Sequence, residues 1–257
     1  RKILRAGIQG IKEKWNLAMR RILEQSINYL LPPNCICCNK VGLKLAAFSQ
    51  LTICSECLSM FIPEVPDRRW FTLLSEPFSK DEHPELTLYM PFAYGEIFAR
   101  VIPKMKFKPE IRIAQFLGIL LGSIMCEDKI SASLIVPVPL SKSRQKERGF
   151  NQAYEIAKQV GIRMQVPVSP DILVRLRDTY RQSEMKKNAL RFSNVENAFE
   201  VNKEWDLEGN TVILIDDVAT TGSTLHEAAV ALLAGGCEKV LCCAVAGNRN
   251  VKNDEPY

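Results

Sequence analysis

Two adjacent carboxylates and a run of hydroxyls are concentrated in residues 211–225, which read TVILIDDVATTGSTL. The apolar run 212–215 at the start of this segment is typical of a strand buried on both faces, as in a parallel sheet. Asp216 and Asp217 follow the run, and a helical pattern begins at Leu225. The segment therefore predicts a strand, a tight loop and a helix, with both acids at the carboxyl end of the strand.

The loop between the acids and the helix has the composition of an anion-binding site. It consists of Ala219, Thr220, Thr221, Gly222, Ser223 and Thr224. Backbone N–H groups at a helix N-terminus bind anions, a glycine permits close approach, and hydroxyls add donors. Asp216 and Asp217 are suited to accept hydrogen bonds from sugar hydroxyls or to hold a hydrated Mg²⁺. A phosphate attached to a polyol satisfies both halves of the segment.

Two simpler interpretations compete with a ligand site. Hydroxyl residues before a helix often serve only as N-caps. An apolar strand that ends in two acids also resembles a Walker B segment, but the chain contains no Gly-Lys pair and hence no phosphate loop of the Walker type. A dinucleotide fold is unsupported as well, because no G-x-G-x-x-G occurs.

The string ILIDDVATTGST closely resembles the phosphoribosyl pyrophosphate (PRPP) signature of type I phosphoribosyltransferases. In that family the resemblance implies that Asp216 and Asp217 meet the 2′ and 3′ hydroxyls of the ribose. It also implies that residues 219–224 hold the 5′-phosphate. The expected fold is α/β, with a mainly parallel sheet flanked by helices.

Four cysteines lie at the spacing of a structural zinc site. Cys35 and Cys38 form one C-x₂-C pair, Cys54 and Cys57 form another, and fifteen residues separate the pairs. Two such pairs complete a tetrahedral site of four thiolates with no open position, so we expect a structural Zn²⁺. Cys37 leaves open which neighbour supplies the second ligand.

A cationic segment follows a second apolar run, residues 134–138. It contains Lys142, Arg144, Lys146 and Arg148. Ligands of open α/β sheets bind beyond the carboxyl ends of the strands, so this loop and the Asp216 loop are expected to face one crevice. Arginine forks neutralise pyrophosphate well, which suits Arg144 and Arg148 to that group.

Three further segments leave alternatives open. Residues 1–31 form a basic amphipathic helix that either lies on an anionic membrane or partner, or packs on its own protein. Lys104, Lys106 and Lys108 are either a solvated basic face or part of a nucleic-acid surface in which Phe107 and Phe150 stack on bases. Residues 175–199 are polar and are either a lid over the site or a disordered connection.

Composition limits the class of protein. The chain has 257 residues, 47% hydrophobic and 25% charged, with a net charge of +5. These values are ordinary for a globular protein with one substantial domain and an appendage. No apolar run is long enough to span a bilayer, and the odd number of nine cysteines argues against a complete disulfide framework. We expect a cytoplasmic protein, with Cys126, Cys237, Cys242 and Cys243 as small core residues.

The motifs together resemble the ComF family. The resemblance rests on the paired cysteines, VPVPLSxxRxxxRGFNQA, RxxxTxxQ…RxxN and IDDVATTG, and covers about residues 32–246. It implies a zinc module with four cysteine ligands, PRPP with Mg²⁺, pyrophosphate contacts from Arg144 and Arg148, and a role with single-stranded DNA and other proteins of natural competence. Thr179, Gln182, Arg191 and Asn194 match the third motif. An active phosphoribosyltransferase with an unidentified acceptor, in which Asp216 and Asp217 are catalytic, is the alternative.

The predicted organisation has four parts. Residues 1–31 form the leading helix, 32–62 the zinc module, 63–84 a linker, and 85–257 the phosphoribosyltransferase-like domain.

Overall fold

The computed structural model describes residues 34–41, 45–48, 51–73, 86–108, 110–176 and 198–247. The leading helix predicted for 1–31, most of the third ComF-like motif and the core of the predicted lid lie outside these residues. The chain divides into two compact units, one ending at Ser59 and one beginning at Met60. Each unit is described by itself.

The first unit is a small antiparallel hairpin followed by one helical turn. Strand β1 is Leu45–Phe48, β2 is Leu51–Cys54, and helix α1 is Ser55–Leu58. Leu45 pairs with Cys54 and Phe48 with Leu51. In the part of this unit that the structure describes, the buried apolar side chains other than cysteines are those of Ile36, Leu51 and Ile53. So few apolar side chains do not make a core that is stable without another source of stability.

The second unit is built on a mostly parallel sheet with the strand order β3-β4-β10-β9-β6. Its strands are β3 (Trp70–Leu73), β4 (Leu86–Tyr89), β5 (Phe92–Ala93), β6 (Leu134–Pro137), β9 (Thr211–Ala219) and β10 (Lys239–Gly247). In the described part of this sheet β4, β5 and β9 run parallel to β10, and β6 runs parallel to β9. The edge strand β3 is antiparallel to β4. β9 and β10 occupy the centre, which explains their continuous apolar sequences.

Helices cover the sheet and supply the rest of the core. They are α2 (Glu96–Phe107), α3 (Ile111–Glu127), α4 (Lys142–Arg148), α5 (Gln152–Met164) and α6 (Ser223–Ala234). α3 is apolar on most faces and packs closely on α5, where a Cβ at Gly118 would come within 2.5 Å of the carbonyl oxygen of Ile156. A separate antiparallel pair, β7 (Leu173–Arg175) with β8 (Phe199–Val201), completes the described elements.

The structure corrects several boundaries drawn from the sequence. Residues 142–148 form a two-turn helix rather than a loop, because the Ser141 hydroxyl accepts the N–H of Arg144 and caps it. Trp70–Leu73 pair with β4 although they fall in the range assigned to the linker, and residues 74–85 are not described. Met90 and Pro91 separate the strand Leu86–Tyr89 from the short strand Phe92–Ala93.

The apolar cysteines follow the prediction except at one position. Cys237, Cys242 and Cys243 are buried, whereas Cys126 is exposed at the last turn of α3. The apolar sequence around Cys126 did not reveal that this turn of the helix faces away from the core. Among the described residues no helix combines the length and apolarity needed to cross a membrane.

Candidate functional site

The two acids lie inside β9 rather than after it. The strand runs to Ala219, and its register with β10 aligns Asp216 with Ala244 and Ala219 with Gly247. The small residues of β10 allow this close pairing: a Cβ at Gly247 would come within 2.2 Å of the carbonyl oxygen of Ala219. Both acids are therefore fixed by strand geometry at the carboxyl edge of the sheet.

Each acid uses one oxygen to hold the local backbone. Oδ1 of Asp216 accepts the N–H of Asp217 at 2.8 Å, and Oδ1 of Asp217 accepts the N–H of Val218 at 2.8 Å. Asp217 is buried and Asp216 is partly buried. Such local bonds restrict both side chains and leave their second oxygens for other groups.

The pKa of Asp216 is raised to about 7. Desolvation is the main cause, because burial disfavours the charged carboxylate, and the neighbouring charge of Asp217 adds to it. Lys106 acts in the opposite direction. A carboxyl group with such a pKa changes its charge near neutral pH, and perturbed pKa values of this kind are common at binding and catalytic sites.

The loop after β9 turns through Gly222 into helix α6. Gly222 is the N-cap residue with φ of 78° and offers no side-chain acceptor, and the hydroxyl oxygen of Thr221 accepts the N–H of Ser223 at 3.4 Å instead. A Cβ there would come within 2.1 Å of Cδ1 of Leu73, so glycine is required both for the backbone angle and for space. Thr221 and Ser223 are exposed, with 3.1 Å between their hydroxyl oxygens.

Arg148 approaches the acids from the end of α4. Its Nη1 donates to Oε1 of Gln152 at 3.1 Å, while its Nε is buried without a hydrogen-bond partner among the described residues. Burial is the main cause that lowers the pKa of this guanidinium; Arg144 lowers it too, while the charge of Asp217 raises it. Arg148 therefore lies within electrostatic reach of the acids, and Arg144 lies near Arg148. No direct contact joins Arg144 to the acids among the described residues.

Lys106 is a site residue that the sequence named only as part of a basic segment and did not connect with the acids. Its Nζ lies 2.8 Å from Oδ2 of Asp217. The sequence placed Lys106 in a basic helical segment but gave no signal for its partner, because the contact joins residues 111 positions apart and depends on how α2 packs. The sequence indicated only that this cation lies near the end of a helix that follows a strand of the same sheet.

The four paired cysteines of the first unit converge. Ligand atoms of Cys35, Cys38, Cys54 and Cys57 all lie within 4.8 Å of one another, and Sγ of Cys38 is 3.7 Å from Sγ of Cys54. Backbone N–H groups of Cys54 and Cys57 point at Sγ of Cys35 and Cys54, at 3.4 Å each. Cys37 is buried and is not a member of this group.

The donor set fits a tetrahedral metal ion with thiolate ligands. Burial raises the pKa of the Cys35 thiol, but backbone hydrogen bonds outweigh it and bring the pKa down to about 6. Burial raises the pKa of Cys57, and the adjacent sulfurs raise it further. A bound dication would favour the thiolate form of every ligand and would thereby counteract the raised pKa of Cys57.

A family model for the phosphoribosyl transferase domain matches residues 116–257. This range is more than half of the chain and contains α4, both acids of β9 and the loop into α6. The chain belongs to the phosphoribosyl transferase domain family. The predicted α/β fold of type I phosphoribosyltransferase character is confirmed by this match together with the mostly parallel sheet.

Curated relatives make the assignment more specific. The chain is 35% identical over 148 residues to Competence protein ComFC of Bacillus subtilis (strain 168), covering 56% of this chain and 57% of that one. It is 34% identical over 154 residues to Competence protein F of Haemophilus influenzae, covering 57% and 66%. The chain thus spans less than two thirds of the length of these relatives. The resemblance to the ComF family is confirmed.

A solved hypoxanthine phosphoribosyltransferase from Staphylococcus aureus is similar at 18% identity with a TM-score of 0.34, covering 56% of this chain and 68% of that one.

Proposed function

We propose that the chain binds PRPP together with Mg²⁺ at the carboxyl edge of the sheet. The observation that carries the proposal is the arrangement of two fixed carboxylates on β9, a glycine-capped helix start directly after them, and Arg148 beside them. In this proposal the 5′-phosphate binds the N–H groups and hydroxyls of residues 219–224. The ribose hydroxyls donate to Asp216 and Asp217.

The positive groups near the acids suit the pyrophosphate. Arg148 is partly buried and its Nε has no hydrogen-bond partner in the described part of the chain, so a phosphate oxygen would satisfy a donor that is otherwise left unpaired. Arg144, one turn earlier on α4, faces the same group in the proposal. Bound Mg²⁺ would neutralise the pyrophosphate charge, with Asp216 and Asp217 holding it through the ribose hydroxyls or water.

Titration calorimetry of Mg²⁺-PRPP into the full chain tests the proposal. We expect saturable binding by the wild type and its loss when Asp216 and Asp217 are both changed to asparagine, because the amides keep the shape and remove the charge. A matched control is Asp171→Asn, which removes one exposed carboxylate elsewhere. Binding that survives in the folded double variant would rule out this site.

We further propose that the chain acts in natural competence, which the names of the two relatives state for those proteins, and that it does so by handling single-stranded DNA. The exposed Phe107 beside exposed Lys108 supports a stacking and phosphate-binding surface on α2. Phe150 does not contribute to stacking, because it is 8% exposed and belongs to the core. The sequence-based expectation for Phe150 was wrong, since an aromatic next to a basic segment gave no information on burial.

Salt dependence distinguishes DNA binding from PRPP binding. Affinity for a single-stranded oligonucleotide should fall steeply between 50 and 200 mM salt, by about tenfold or more if several phosphates are neutralised. Phe107→Ala should weaken that binding and leave PRPP binding unchanged. An oligonucleotide affinity that does not depend on salt or on Phe107 would contradict a binding surface on α2.

The alternative is transfer of the phosphoribosyl group to an acceptor. In that reaction a bond from C1 of the ribose to the acceptor atom would form as the bond from C1 to pyrophosphate breaks. Arg148 would stabilise the charge on the departing pyrophosphate, and Mg²⁺ held near Asp216 and Asp217 would add to that stabilisation. Release of pyrophosphate from PRPP in the presence of a panel of bases and amines measures this activity. Turnover lost in the double asparagine variant would favour the enzyme; binding without turnover would favour the binding protein.

A further inference from the structure

Lys106 joins helix α2 to the acid pair of β9. Its Nζ lies 2.8 Å from Oδ2 of Asp217, with the two side chains 23% and 10% exposed. An ion pair so far removed from water is screened much less than one at the surface. Lys106 is therefore part of the site.

Asp217 has one oxygen left for a ligand. Its Oδ1 accepts the N–H of Val218, a bond within the strand that persists as long as β9 keeps its backbone. Its Oδ2 is buried and has no hydrogen-bond partner in the described part of the chain, although the Lys106 ammonium is within ion-pair distance. An ammonium that approaches Oδ2 from outside its lone-pair directions forms an ion pair without a hydrogen bond, which accounts for both observations. Oδ2 can then still accept a hydrogen bond from a hydroxyl.

We propose that Lys106 is a specificity-determining residue that leaves Asp217 for the pyrophosphate when a pyrophosphorylated ribose binds. This inference rests on the proposed function. A ribose hydroxyl that donates to Oδ2 competes with Lys106 for that oxygen. The flexible stem of the lysine lets the ammonium move to a new anion within the same site.

The movement of Lys106 from Asp217 to the ligand discriminates between ligands by the charge of the group attached to C1 of the ribose. A ligand with a pyrophosphate gives the displaced ammonium a new partner, so no buried charge is left uncompensated. Ribose 5-phosphate takes Oδ2 as well but leaves Lys106 without an anion, which is costly for a group that is mostly shielded from water. The site should therefore bind PRPP more tightly than ribose 5-phosphate, and the difference in affinity should exceed what the contacts of Arg148 with the pyrophosphate provide alone.

The test compares affinities for PRPP and ribose 5-phosphate, both with Mg²⁺, in the full chain. Lys106→Met keeps the aliphatic stem and removes the charge. We expect PRPP affinity to fall by about tenfold or more, the size of one lost charge-assisted contact, while ribose 5-phosphate affinity stays the same or rises. Lys203→Met, an equal loss of charge at an exposed lysine elsewhere in the second unit, should leave the ratio of the two affinities unchanged.

Three results would overturn the inference. Equal loss of both affinities in Lys106→Met would indicate a general charge effect, and an unchanged ratio would show that Lys106 does not discriminate. A change of the same size in Lys203→Met would remove the assignment to Lys106. Lys106→Gln provides a second neutral variant if the methionine variant fails to fold. A wild type that binds neither ligand would refute the proposed function, which distinguishes that failure from this one.

Discussion

Asp216 and Asp217 are adjacent in sequence but differ in their surroundings. Asp217 is buried and ion-paired with Lys106, whereas Asp216 is partly exposed and has its pKa raised to about 7 by burial and by the charge of its neighbour. Two carboxyl groups whose environments differ can hold different charges at neutral pH. Ligand binding that needs both as acceptors is then sensitive to pH.

The raised pKa of Asp216 predicts a dependence of stability on pH. Between its ordinary value of 3.8 and about 7, the folded chain keeps a proton on Asp216 that the unfolded chain releases. The free energy of unfolding therefore falls as pH rises through this window, and the full cost is present above it. Asp216→Asn should remove the cost, so that at pH 8 the variant is more stable than the wild type by about 1–4 kcal/mol.

Urea denaturation of the wild type and of Asp216→Asn at pH 5 and pH 8 measures this effect. The difference in stability between the two should grow with pH, and Asp171→Asn, which changes an exposed acid, should show no such growth. A stability difference that is independent of pH would mean that Asp216 is ionised throughout the range.

At the scale of elements, the turn from β9 into α6 depends on one glycine. Gly222 has φ of 78°, and a Cβ on it would overlap Leu73 at the end of β3. Gly149, at the end of α4, has a similar φ of 75° but nothing within 4 Å of its Cβ position. Alanine substitutions at these two glycines therefore distinguish the free-energy cost of the backbone angle from the cost of the overlap with Leu73.

Gly149→Ala should destabilise the chain by about 1–2 kcal/mol, since a positive φ is unfavourable for alanine. Gly222→Ala should cost about 1–3 kcal/mol more, because Leu73 must also move. Chemical denaturation of both variants measures the difference. Equal costs would show that the loop and β3 adjust freely.

The elements of the site were predictable to different degrees. The strand-loop-helix around Asp216 was evident because a buried parallel strand has a continuous apolar sequence and its loop contains a glycine and hydroxyls. The helix 142–148 was expected as a loop, since its seven residues are all polar or charged and its cap at Ser141 decides the outcome. The partnership of Lys106 with Asp217 depends on tertiary packing, for which local sequence carries no signal.

At the scale of the whole molecule, the first unit has few buried apolar residues in its described part and gathers four thiols instead. We infer that metal binding supplies much of its folding free energy, as in other small modules with thiolate ligands. The paired spacing identified these four cysteines from sequence, but only the fold could separate Cys38 from its neighbour Cys37.

The cluster of four thiols predicts a different result for each of two adjacent cysteines. Cys38→Ala removes a ligand and should reduce bound zinc well below about one ion per chain, with a lower midpoint of unfolding for the first unit. Cys37→Ala should retain the metal, because Cys37 lies outside the group. Elemental analysis of both purified variants gives the comparison. Full metal content in Cys38→Ala would assign the fourth ligand to another residue.

The most direct test of the PRPP site is hydrogen–deuterium exchange of the full chain with and without Mg²⁺-PRPP. Binding at this site should slow exchange at the amides of residues 219–225, where the 5′-phosphate is proposed to accept backbone N–H groups, and in Lys142–Arg148. We expect no change in Leu51–Cys54 of the first unit. Saturating PRPP with no slowing at residues 219–225, or with slowing confined to other parts of the chain, would contradict it.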